Sequence, residues 1–148
     1  MKKDRSCTRL IREIYNEWSR CSARFQSAYG ISQAQLVYLS HLYEAGEQGL
    51  YLKELEKKLQ IGQTSVVRMI DKLESMGIVK KIQDDRDSRK KKACLTSTGR
   101  ECYEKAASSW KAVEHQFMQT LNEPELETLE KLLACVYENS VAASETFR

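Results

Sequence analysis

Proline is nearly absent from this 148-residue chain: Pro124 stands alone, beside only six glycines. With so few residues that interrupt regular backbone, long helices are expected. Long apolar runs are missing too. Nothing approaches the roughly 20 consecutive apolar residues that span a bilayer, so no membrane is expected as a partner. No apolar segment of roughly 7–15 residues follows the basic start Met1-Lys2-Lys3, which argues against a signal peptide and for a cytoplasmic protein. Histidine is scarce, with His41 and His115 only, and the five cysteines (Cys7, Cys21, Cys94, Cys102, Cys135) include no Cys-x-x-Cys pair. That leaves no metal-ligand spacing and favours free thiols over a disulfide framework, so neither metal nor cofactor is expected. A glycine-rich phosphate loop, a nucleophile elbow and a His-Glu-x-x-His pair are all absent, and nothing points to an enzyme.

What the sequence does have is charge, unevenly placed. Lysine and arginine outnumber aspartate and glutamate by 24 to 21, a net +3. Residues 62–100 hold ten basic and five acidic groups, whereas residues 101–148 hold four and nine. A positive middle beside an acidic end is expected of a localised polyanion-binding face, although a solvated surface with no partner would carry it too. The densest stretch is Asp84-Asp85-Arg86-Asp87-Ser88-Arg89-Lys90-Lys91-Lys92, between strand-like runs near 78–82 and 92–96. A charged loop between two short strands, directly after a helix, reads as a β-hairpin wing. Wings reach nucleic-acid backbones.

The elements around it follow from periodicity and punctuation. Leu10, Ile14, Trp18, Cys21 and Phe25 recur at helical spacing over 5–28, and Gly30 ends that helix. Ser32-x-x-Gln35 is a capping box that opens a second helix, with Leu36, Leu39, Leu42 and Tyr43 on one side and Gly46 as its stop. After the extended piece 49–51, Leu52, Leu55 and Leu59 mark a two-turn helix broken at Ile61-Gly62. A helix from Gln63 to Met76 then turns Val66, Met69, Ile70 and Leu73 inward, with Gly77 as its C′ residue. Two helices separated by a tight break make a helix-turn-helix. Beyond the hairpin, Thr98-x-x-Glu101 is expected to cap a long helix striped by Ala106, Trp110, Val113, Phe117 and Leu121. Asn122-Glu123-Pro124-Glu125 opens the last helix, whose apolar face is Leu126, Leu129, Leu133 and Val136.

The predicted fold is mainly α with a small β-hairpin wing. A winged helix-turn-helix DNA-binding region covers 32–99, and helical regions 1–31 and 100–148 flank it within a single compact domain. Three long helices outside such a core suggest a dimerisation layer; a monomeric bundle packed on itself is the alternative.

The wing motif, Asp87-x-Arg89, five residues, then Leu95-Thr96-x-x-Gly99, resembles that of the MarR (multiple antibiotic resistance regulator) family. Residues 63–79 are similar to that family's recognition helix and following strand, and the order of elements agrees from end to end. The resemblance implies a homodimeric winged-helix transcription factor bound to a pseudo-palindromic operator in double-stranded DNA. Many members are repressors that release DNA when a small aromatic or phenolic effector binds, or when a cysteine is oxidised.

At the expected DNA face, Gln63 pairs bidentately with adenine, Thr64 and Ser65 donate to bases or phosphates, and Val67 meets a thymine methyl. Arg68 is long enough for guanine or a phosphate, and Lys72 continues the same polar face. In the wing, Arg89 is the residue expected in the minor groove, where a narrow groove's negative potential favours a guanidinium. Asp87 orients that guanidinium, as the resemblance implies. Arg86, Lys90, Lys91 and Lys92 neutralise phosphates. Asp84 and Asp85 suit the turn rather than a phosphate.

An effector, by the resemblance, sits in a cleft bordered by Tyr15, Trp18, Tyr38, His41 and Trp110; core packing of the same aromatics is the plainer reading. The candidate redox residues are Cys7 and Cys21, with Arg5, Arg9 or Arg24 able to lower a thiol's pKa. The family's hydroperoxide sensors hold their thiolate with a tyrosine early in the second helix, and here residues 32–35 contain none. Competing with the DNA-binding regulator are a thiol-based regulator of the same fold and a winged-helix protein-interaction module without DNA.

Overall fold

A computed structural model describes residues 2–147. Six helices and three strands follow in order: α1 (Lys2–Tyr29), α2 (Gln33–Ala45), β1 (Leu50–Tyr51), α3 (Leu52–Leu59), α4 (Gln63–Ser75), β2 (Val79–Gln83), β3 (Lys91–Leu95), α5 (Ser97–Met118) and α6 (Glu123–Ser144). Short 3-10 turns at Gly46–Gln48 and Glu145–Phe147 complete the chain. The hairpin is there, and it is the larger part of a three-stranded antiparallel sheet in the order β1-β3-β2. Val79 pairs with Leu95 and Gln83 with Lys91, while Leu50 of β1 pairs with Ala93. The strands stand one residue from their expected bounds.

Local chemistry sets the helix ends. Ser32 Oγ accepts the Gln35 N–H at 3.1 Å while Gln35 Oε1 accepts the Ser32 N–H at 2.8 Å. Asn122 and Glu125 repeat that exchange at 3.0 and 2.9 Å, with Pro124 in the first turn of α6 where no N–H is missed. The start of α5 departs from expectation. Its cap is Thr96, whose Oγ1 accepts the Gly99 N–H at 3.0 Å, and not Thr98. Thr96 wins because its N–H reaches the Ile78 carbonyl at 3.0 Å and its hydroxyl donates to the Gly77 carbonyl at 2.7 Å, so one residue caps the helix and closes the sheet. Leu121 falls past the end of α5 and does not extend its stripe.

Two compact units divide the chain, Met1–Trp110 and Lys111–Arg148. The winged core expected over 32–99 lies inside the first. There, Leu39, Leu42, Leu55, Val66, Ile70 and Leu73 are fully enclosed, with Val79, Ala93 and Cys94 of the sheet beneath them. Phe25 and Trp18 of α1 both meet Trp110 edge-on, centroids 5.0 and 5.1 Å apart. The N-terminal half of α1 is different: Leu10, Ile14 and Tyr15 of its apolar face are exposed, Ile14 at 56 %. In the second unit, α6 likewise leaves Leu133, Val136 and Tyr137 open, Tyr137 at 69 %. Among the described residues no helix is long and apolar enough to cross a membrane.

Candidate nucleic-acid interface

The helix-turn-helix is built on a tight, slightly strained corner. Gln60 takes the left-handed conformation (φ 53°), which L-residues other than glycine and asparagine rarely adopt. Ile61 N–H then donates back to the Glu56 carbonyl at 3.2 Å, and α4 starts after Gly62. At the far end of α4, Ile78 N–H reaches the Leu73 carbonyl and Gly77 N–H the Glu74 carbonyl, a Schellman closure that needs Gly77 at φ 73°. Because Val66, Ile70 and Leu73 are consumed by the core, the helix presents Gln63, Thr64, Ser65, Arg68 and Lys72 to solvent, with Val67 half-buried. Lys81 of β2 fastens the helix from the side. Its ammonium pairs with Asp71 and, at 3.5 Å, with Glu74, and its N–H donates to Glu74 Oε2 at 3.2 Å. The hydrogen bond that Lys81 donates to Asp71 holds the Lys81 pKa above the usual lysine range.

In the wing, the acids hold the loop. Asp84 Oδ1 accepts from the main-chain N–H of Arg86 at 2.7 Å and of Asp87 at 3.2 Å. Asp84 N–H donates to the Lys90 carbonyl at 3.2 Å, and Lys90 N–H to the Asp87 carbonyl at 2.9 Å. Asp87 meets Arg89 through the main chain, its Oδ1 accepting the Arg89 N–H at 3.0 Å; no ion pair joins the two side chains among the described residues. Arg86, Arg89, Lys90 and Lys91 are exposed. Neither they nor Arg68 and Lys72 enter a salt bridge among the described residues. Lys92 is the exception in the basic run: its Nζ lies 4.5 Å from the centre of the Tyr51 ring.

A groove of about 640 Å³ runs between α3, the start of α4 and the wing. Of the residues expected to touch DNA, it gathers Gln63 and Val67 on one wall and Asp87, Arg89, Lys90 and Lys91 on the other. Thr64, Ser65, Arg68 and Lys72 stay outside it on the open face of α4, and Arg86 lines a neighbouring depression of about 450 Å³. The groove also contains Tyr51, Glu54 and Glu56, which the sequence did not single out. One Glu56 carboxylate oxygen, Oε1, is enclosed without a hydrogen-bond partner. These residues sit on β1 and α3, more than thirty positions in sequence from the wing residues Asp87, Arg89, Lys90 and Lys91 that line the same groove, and no local pattern announces them.

The aromatic five are dispersed in their surroundings. Tyr38 and Trp110 are buried, Trp18 is half-buried against Trp110, Tyr15 is exposed, and His41 is half-buried with Nδ1 enclosed and unpartnered. Cys7 is exposed and Cys21 half-buried. The Arg5 side chain lies outside the described residues, Arg9 pairs with Glu13 at 3.5 Å, and Arg24 is exposed. Burial raises the thiol pKa of Cys94 and of Cys102. Labelling with a thiol probe near neutral pH, read peptide by peptide, should therefore modify Cys7 and Cys135 first and Cys94 last. Equal rates for Cys7 and Cys94 would mean that the wing sheet opens in solution. Among the described residues no cluster of three or more His, Cys, Asp or Glu is placed to hold a metal ion.

Comparison with known proteins bears on this geometry. Residues 31–91 match the model of the MarR family. The HTH-type transcriptional regulator PrsX of Escherichia coli is 38% identical over 77 residues, 52% of this chain and 46% of PrsX. The chain thus spans about half the length of the curated relatives it matches. Among solved structures, the S. aureus MepR–DNA complex superposes with a TM-score of 0.75 at 26% identity, covering 89% of this chain and 96% of that one. A mutant of E. coli MarR complexed with operator DNA gives a TM-score of 0.71 at 27% identity, covering 87% and 91%.

Proposed function

We propose that this chain, whose residues 31–91 match the MarR family model, is a MarR-family sequence-specific DNA-binding transcriptional regulator, a homodimeric repressor acting in the cytoplasm. The observation that carries the reading is the groove with Gln63 and Val67 on one wall and Arg89, Lys90 and Lys91 on the other. In a duplex a sugar–phosphate strand separates each major groove from the next minor groove. A helix seated in the first and a wing in the second must let that strand pass between them, and this groove provides the passage. α4 supplies short polar groups for base edges, and the wing supplies Arg89, Lys90 and Lys91, which enter no salt bridge among the described residues. The exposed apolar faces of α1 (Leu10, Ile14) and of α6 (Leu133, Val136) are surfaces that a second copy would cover. Release by a small aromatic or phenolic effector belongs to the same reading. No catalytic role is assigned.

The test is selection of duplexes from a randomised pool, followed by anisotropy titration at several salt concentrations. A homodimeric reader should select two inverted half-sites whose centres are about one helical turn, or a multiple of it, apart. Log affinity should fall linearly with log salt, with a slope of about −0.9 for each phosphate neutralised. Failure to enrich any sequence, or a nearly flat salt dependence, would leave the winged-helix protein-interaction module as the better account.

A further inference from the structure

An acid in a loop that approaches phosphates is electrostatically unfavourable unless something else requires it. Asp84 is required twice. One oxygen holds the loop's main chain, as described above, and the other, Oδ2, accepts the hydroxyl of Tyr51. Tyr51 lies on β1 and is itself fixed on both sides. Its N–H donates to Glu54 Oε2 at 2.8 Å at the start of α3, and Lys92 Nζ covers its ring. A continuous series of hydrogen bonds thus runs from α3 through Tyr51 and Asp84 to Asp87 and the main chain of Arg89. The same contact holds the Asp84 carboxyl below its usual range and the Tyr51 phenol above its own, so phenol and carboxylate keep complementary forms around neutral pH.

We propose that Tyr51 is a positioning residue for DNA recognition: its hydroxyl, bound to Asp84, sets the angle of the wing against the helix-turn-helix and thereby the point at which Arg89 enters the groove. The proposal rests on the DNA-binding reading above. A two-stranded ribbon twists readily about its base, and a tip that has to be ordered on binding loses affinity to that ordering. The Tyr51–Asp84 brace orders it beforehand.

Tyr51→Phe removes the hydroxyl alone; the ring under Lys92 and the main-chain bond to Glu54 remain. Affinities for the selected duplex are measured for wild type, Tyr51→Phe, Arg89→Ala and the double variant at one salt concentration. Tyr51→Phe is expected to weaken binding about tenfold in the wild-type background and less than about twofold in the Arg89→Ala background, the loss of one hydrogen bond to a charged acceptor being expressed only through Arg89. Asp84→Ala should show the same dependence on Arg89. Equal losses in both backgrounds, or no loss from Tyr51→Phe alone, would overturn the brace while leaving DNA binding intact. If Arg89→Ala itself binds like wild type, the wing reading fails first and the brace with it.

Discussion

Gly99→Ala is expected to destabilise the chain by about 3 kcal/mol or more, a large share of the roughly 5–15 kcal/mol available to a domain. A Cβ built on Gly99 would stand 1.9 Å from the Ile78 carbonyl oxygen and 3.1 Å from Ile78 Cγ2. A flexible side chain could yield; this oxygen cannot. It accepts both the Thr96 N–H at 3.0 Å and the Thr96 hydroxyl at 3.1 Å, so moving it would undo the junction between sheet and α5. The Leu95-Thr96-x-x-Gly99 motif is therefore a folding joint, with Leu95 in the core, Thr96 as cap and clasp, and Gly99 as the gap that lets strand and helix touch. Urea denaturation checks this, with Gly62→Ala as the control. At Gly62 an added Cβ meets nothing within 4 Å and φ is −66°, so only the N-cap preference is lost, about 1 kcal/mol or less. Similar midpoints for the two variants would show that the close approach at Gly99 is relieved in solution.

That joint also marks where the sequence was legible and where it was not. Interactions that close within three or four residues could be read directly: the Ser32/Gln35 box, the helix start at Asn122-Glu123-Pro124-Glu125 and the Gly77 stop all formed as expected. The inward stripe of α4 followed from its period. At α5, two threonines each had a partner position three residues on, and local pattern favoured Thr98. Contacts across eighteen or nineteen residues, to Gly77 and Ile78, decided for Thr96. The extended piece at 49–51 was legible, but its pairing was hidden for the same reason, since Leu50 finds Ala93 only when the chain has folded. Tyr51 escaped notice because its partner, Asp84, lies 33 positions away. Aromatic residues at helical spacing carry no signal that separates core from cleft, and Tyr38 and Trp110 went to the core.

Arg89→Ala is expected to weaken binding to the selected duplex by about 10- to 100-fold, the equivalent of about 1–3 kcal/mol, while leaving the denaturation midpoint unchanged. The side chain is exposed and makes no ion pair among the described residues; the bond that Asp87 accepts from position 89 comes from the main-chain N–H, which alanine keeps. Removing the guanidinium therefore touches no contact that stabilises the fold. Its loss should also be sequence-dependent. A guanidinium in a narrow minor groove draws on the stronger negative potential of A·T-rich segments, so the penalty should be largest on duplexes whose wing-facing segment is A·T-rich and smaller where G·C widens that groove. Lys91→Ala provides the contrast. An exposed lysine beside the strand acts as a phosphate partner, so its removal should weaken all duplexes alike and reduce the salt slope by about one. If Arg89→Ala lowers affinity uniformly, with the slope change expected of Lys91→Ala, then Arg89 is a phosphate contact and the wing positions without reading. Affinity within about twofold of wild type, well inside the 1.4 kcal/mol that marks a tenfold change, would take the wing off the DNA altogether.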